Sequence, residues 1–218
     1  MLPLLSLAGS AFIVGFSGAL VPGPLSAMTV AESAKRGFRA GPLLTAGHAL
    51  AEVAIVAALA VGLNRVFQQP LVSGLIALVG GVVLLWMGSG MARTAWQGGM
   101  KLSAAAGSAA PVTAAADVRT GVLVSVANPY WILWWATVGA TYVVMALKLG
   151  LVGLVAFYIG HILSDLSWNS LLAFVVSSGR RVISDKLYRT VIIVCGVFLV
   201  VMGLTFAWAG VGYLRGLA

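Results

Sequence analysis

The hexapeptide Gly47-His48-Ala49-Leu50-Ala51-Glu52 returns, shifted by 113 residues, as Gly160-His161-Ile162-Leu163-Ser164-Asp165. The two copies hold both histidines of the chain and two of its five acidic residues. Each copy lies inside a long apolar run. A carboxylate at the centre of a membrane helix costs roughly 2.5–3.5 kcal/mol, so its presence there marks a candidate functional site. In both copies the acid follows the histidine by four residues, which on a helix places the two on one face, a turn apart.

The apolar runs fix the class. Only 8% of the residues are charged and 61% are hydrophobic, whereas a soluble domain carries about 25% charged residues. A bilayer core takes roughly 20 apolar residues per helix. The runs divide into six spans, near Leu4–Val30, Gly41–Leu63, Leu71–Met91, Gly121–Leu147, Gly150–Val176 and Val191–Val211. The first run has no basic flank ahead of it and reads as a retained helix rather than a cleaved leader. A stretch rich in Ala, Ser and Gly over residues 93–118 reads as a flexible connector. The expected organisation is therefore an all-α integral membrane protein with three-helix units at 1–92 and 119–218.

The net charge is +8. The basic residues sit at span ends, which points to membrane topology and lipid headgroups rather than nucleic acid. Lys35, Arg36, Arg39, Arg93, Lys101, Arg119, Arg180, Arg181, Lys186 and Arg189 fall on one side, and only Arg65, Lys148 and Arg215 on the other. The positive-inside rule then places both termini outside the cytoplasm. Three spans per unit is an odd number, so the second unit runs upside down relative to the first. Inverted repeats with a site at their interface are typical of secondary transporters. Cys195 is the single cysteine, so no disulfide within the chain and no zinc spacing arises. No nucleotide-binding motif occurs, and no cofactor is implied.

Two further features correspond between the units. Pro22-Gly23-Pro24 breaks the first span, because proline removes a donor and clashes with the preceding turn. Asn128-Pro129 does the same in the fourth. Interrupted helices at depth are tolerated where they line a cavity. Trp131, Trp134 and Trp135 follow directly, either as lipid-facing or interfacial packing or as a wall that contacts a bound ammonium group.

Pro22-Gly23-Pro24, the basic Lys35-Arg36-Gly37-Phe38-Arg39-Ala40-Gly41 turn, Ala46-Gly47-His48 and Asn128-Pro129 together resemble the lysine exporter (LysE/RhtB) family across essentially the whole chain. That resemblance implies a six-span inner-membrane exporter of amino acids and similar solutes, driven by the proton gradient and often dimeric. The substrate would be a small cationic or zwitterionic compound. His48, Glu52, His161, Asp165 and Asn128 are the candidate substrate- and proton-binding residues. A second reading takes His48, Glu52, His161 and Asp165 as ligands for an exported divalent metal, for which two imidazoles and two carboxylates are a suitable set. A third is a membrane enzyme or scaffold, but Ser164, Ser167 and Thr45 form no recognised nucleophile motif. In the plainest reading each histidine bonds its own acid and only pins helices.

Overall fold

The structure, a computed structural model, describes residues 1–63, 66, 69–97, 113–178 and 185–216. Arg65, Lys101, Arg180, Arg181 and the middle of the expected connector lie outside the described residues.

The described residues are helical apart from short turns. The order is α1 (Leu2–Ala19), α2 (Pro24–Arg36), α3 (Ala40–Ala58), α4 (Pro70–Trp96), α5 (Ala114–Val126), α6 (Pro129–Trp134), α7 (Ala140–Leu147), α8 (Gly150–Ser178) and α9 (Asp185–Arg215). A π turn at Leu59–Leu63 extends α3, and another at Trp135–Gly139 joins α6 to α7. Six stretches are long and apolar enough to cross a membrane: Leu2–Ala19, Ala40–Gly62, Pro70–Trp96, Pro129–Leu147, Gly150–Ser178 and Ile192–Arg215. Their outward surface carries bare apolar side chains, such as Ile13, Trp86, Leu151 and Trp208, as lipid contact requires.

Both spans that carry a proline break are divided in two. Helix ends at Ala19 and restarts at Pro24, and again at Val126 and Pro129. In each case the proline takes the first helical position, where its missing N–H is no loss. The connector region narrows from both sides, since residues 93–96 end α4 and 114–118 begin α5.

Packing pairs each half with the other. α1 lies along α8, α3 along α5, and α4 along α9, while α3 also touches α8. The glycine ahead of each histidine sits at a crossing. A Cβ on Gly47 would collide with the Val118 carbonyl oxygen, and one on Gly160 with that of Ala8. Small residues at such points let backbones approach, which is the main source of helix association in lipid. At one end of the bundle, arginines tie the helices together. Arg36 on α2 grips buried Asp117 on α5 with two hydrogen bonds of 2.7 and 2.5 Å, and Glu32 adds an ion pair at 2.8 Å. The hydrogen bond to Asp117, helped by Glu32, raises the pKa of Arg36 above its ordinary value. Arg189 on α9 donates to the Ala95 and Trp96 carbonyls at the end of α4, at 3.0 and 3.1 Å.

Gly47→Ala or Gly121→Ala should lower stability by about 1–3 kcal/mol through overpacking at the α3–α5 crossing. Gly90→Ala, where a Cβ meets nothing within 4 Å, should have no such effect. Thermal unfolding of the purified protein in detergent checks this, and equal midpoints for all three variants would remove the crossing from the account.

Candidate functional site

Glu52, Asp165, His48 and His161 meet in the interior, none more than 7% exposed. The repeat spacing accounts for half of this. Each histidine shares a helix face with its own acid, and α3 touches α8, so the two faces can oppose each other. The rest is a shared atom. Glu52 Oε1 lies 3.0 Å from His48 Nε2 on its own helix and 3.1 Å from His161 Nε2 on α8. The indole N–H groups of Trp131 and Trp135 also donate to it, at 3.2 and 3.1 Å. Asp165 is held more loosely, 3.4 Å from His161 Nε2 and 3.9 Å from His48 Nε2. Glu52 Oε2, Asp165 Oδ2 and His161 Nδ1 have no hydrogen-bond partner among the described residues.

The two histidines differ at their second nitrogen. His48 Nδ1 lies 2.6 Å from the Ser125 hydroxyl, which also reaches the Gly121 carbonyl at 2.6 Å. A hydroxyl can donate to a bare ring nitrogen or accept from a protonated one, so Ser125 suits either state of His48. On the other side the neighbour is Gly15, where a Cβ would lie 3.0 Å from His161 Nδ1. Val118 follows Ala8 by the same number of residues as Ser125 follows Gly15. The environments of the two histidines thus correspond in backbone but not in side chain.

The helix breaks open onto these groups. A cavity of about 50 Å³ is lined by Gly23, Leu25 and Ser26 at the first break, Asn128 and Tyr130 at the second, and His48, Glu52, His161 and Asp165 between them. Trp131, Trp134 and Asn169 also line it. Asn128 Oδ1 caps α6 by accepting from Tyr130 N at 3.1 Å. Pro22 is absent from this lining and faces a separate apolar pocket with Trp168 and Cys195. Pro129 packs against Gly80 of α4.

The tryptophans serve the polar groups. Trp135 is fully enclosed and Trp134 is 7% exposed, so neither is a lipid-facing ring. Trp134 stacks on His161 with ring centres 4.6 Å apart and donates to the Ser17 hydroxyl at 3.1 Å. Trp131 and Trp135 sit one turn apart, which brings both indole N–H groups to the same carboxylate.

Sequence reasoning missed several members of this network. Asn169, one turn beyond Asp165, donates to the Asp165 carbonyl at 3.0 Å and accepts from the Thr29 hydroxyl of α2 at 3.1 Å. Its i, i+4 position behind Asp165 was a usable signal. Ser125 and Thr29 gave none, because a lone hydroxyl in an apolar helix is usually bonded to its own backbone. For a metal ion, His48, Glu52 and Asp165 offer ligand atoms within 4.8 Å of one another.

Removing the Glu52 carboxyl takes the nearest acceptor from two imidazoles, leaving them only the more distant Asp165, and takes the carboxylate acceptor from two indoles. Glu52→Ala should therefore cost about 3–5 kcal/mol, the usual range for a buried ion pair that loses one partner. Glu52→Gln, which keeps an acceptor oxygen in place, should cost clearly less. Unfolding followed by tryptophan fluorescence measures both, and equal losses would contradict the donor arrangement.

Comparison with known proteins places the chain in a family. The chain is 25% identical over 208 residues to the putative amino acid efflux protein YcgF of Bacillus subtilis, covering 95% of this chain and 98% of that one. It is 28% identical over 157 residues to the uncharacterized membrane protein PA4757 of Pseudomonas aeruginosa, covering 66% of this chain and 72% of that one. No solved structure matches. The family model for the LysE type translocator matches residues 16–210. With nearly the whole chain inside that match, this protein belongs to the LysE type translocator family.

Proposed function

We propose that the chain exports a small solute, an amino acid or a related cationic or zwitterionic compound, in exchange for protons. The observation that carries this is the sharing of Glu52 Oε1 by His48 and His161, one from each half. Beside it lie Asp165 and the cavity lined by both helix breaks. Among the described residues, Glu52 and Asp165 each keep one oxygen without a hydrogen-bond partner, and a substrate ammonium or a proton can occupy that place. The two compete. Substrate arriving from the cytoplasm displaces protons, and protons arriving from outside displace substrate. Histidine changes charge between pH 5 and 8, so the two imidazoles are suited to take up and return those protons.

The halves act as inverted repeats in this reading, and alternating access follows from rocking one against the other. Three features support it. Exchanging the halves turns the α1–α8 packing into the α3–α5 packing and leaves α4–α9 in place. The glycines before the two histidines abut corresponding carbonyls. A cavity of about 50 Å³ has room for only a few waters, so admitting a solute requires the helices to part. The preponderance of basic residues at one set of span ends puts that end in the cytoplasm and both termini outside.

Export of a divalent metal is the second reading, favoured by the three ligand atoms of His48, Glu52 and Asp165 within 4.8 Å. Calorimetric titration of the detergent-purified protein with Mn²⁺ and Zn²⁺ separates the two. Saturable binding that His48→Ala abolishes supports metal, and its absence leaves the organic solute.

Transport in proteoliposomes under an imposed pH gradient tests the main proposal. Wild-type protein should move amino acid against the proton flow. Glu52→Gln and Asp165→Asn should each reduce that gradient-driven flux at least tenfold, and unchanged flux and pH dependence in both would end the antiport reading.

A further inference from the structure

The open N-terminal turn of α2 carries donors that nothing in the site yet uses. α2 has thirteen residues and begins at Pro24, with Gly23 as its cap and no capping side chain. The first main-chain N–H returned into the helix is that of Ala27, to the Gly23 carbonyl at 3.0 Å. The N–H groups of Leu25 and Ser26 come before that ladder begins. Such a turn carries a partial positive charge and a set of free donors, which together suit an anion.

The cavity at this turn has a second pole. Gly23, Leu25 and Ser26 line the same space as Glu52 and Asp165. These are only 1% and 4% exposed, and each keeps one oxygen without a hydrogen-bond partner among the described residues. No lysine or arginine is among the lining residues, and the two imidazoles there already face Glu52 Oε1, so main-chain and amide donors are what remains for an anionic group. Asn128 adds one more. Its Oδ1 is taken by the α6 cap, which turns the amide Nδ2 toward Gly23, 3.6 Å from where a Cβ there would lie.

We infer that the first turn of α2, with Asn128 Nδ2, is a carboxylate subsite, so that the cavity holds a solute bearing both an ammonium and a carboxylate group. The ammonium goes to Glu52 and Asp165, and the carboxylate accepts from Leu25 N, Ser26 N and Asn128 Nδ2. This rests on the exporter reading and narrows it, since amines without an acid group lose one of the two poles. It also gives the helix break a purpose, because an unbroken first span would offer no free N–H groups at that depth.

The test uses the full chain in detergent, with tryptophan fluorescence reporting on Trp131 and Trp134. The protein is titrated at neutral pH with each common L-amino acid and with its primary amide, which keeps the ammonium and removes the carboxylate. At least one acid should bind saturably and at least tenfold tighter than its amide. Asn128→Asp keeps the cap oxygen but replaces the donor with a second acceptor, and should cut that preference at least threefold. Gly23→Ala should do the same, because its methyl group would stand in ordinary contact with the amide, in the space an incoming carboxylate needs. Its backbone (φ −129°, ψ −178°) suits alanine, and its nearest neighbours at 3.6 Å leave room for the methyl group, so this variant folds and carries the test if Asn128→Asp is not recovered. Equal binding of acid and amide, or an unchanged preference in the recovered variants, overturns the subsite while leaving pH-driven export standing. No saturable response to any acid or amide overturns both.

Discussion

One carboxylate oxygen holds the centre of this protein together. Glu52 Oε1 receives an imidazole nitrogen from each half of the chain and two indole N–H groups from the segment after the second helix break. In lipid a lone carboxylate would be expelled or neutralised, and only a dense set of donors makes its burial tolerable. That requirement dictates much of the surrounding architecture. α3 and α8 must face each other at their histidines. The α6 segment must come close enough for Trp131 and Trp135 to point inward. Glycines at 47 and 160 let the neighbouring helices close over the cluster.

Asp165 is the contrast. It is equally enclosed but more sparsely held, with its nearest imidazole 3.4 Å from Oδ2 and no hydrogen bond to that oxygen among the described residues. Two acids in one cluster with such unequal support are not interchangeable. The well-held one organises the site, and the loosely held one is the readier place for a cation to enter. The difference between Ser125 beside His48 and Gly15 beside His161 points the same way. A duplicated motif has been given two different surroundings.

The sequence made the six crossings and the acid–imidazole faces legible, because both rest on strong local signals. Apolar length marks a span, and the i, i+4 spacing of His48–Glu52 and His161–Asp165 marks a face. The prolines at 22, 24 and 129 located the helix breaks, since proline acts on its own backbone. What stayed hidden depends on contacts across the bundle. Nothing near Trp131 or Trp135 in the chain shows that their N–H groups would meet Glu52, some eighty residues away. The Arg36–Asp117 tie spans 81 residues. There a basic residue counted only for topology proves to hold α2 against α5. The π turn at Trp135–Gly139 has no pattern that sets it apart from an ordinary apolar helix.

The central claim is that both histidines answer to the same carboxylate. Nitrogen NMR of protein labelled with ¹⁵N-histidine tests it directly, since the chain has two histidines and each gives resolvable ring signals. With Glu52 replaced by glutamine, the Nε2 resonances of His48 and His161 should both move. A shift confined to His48, which shares a helix with Glu52, with His161 unchanged, would contradict the account.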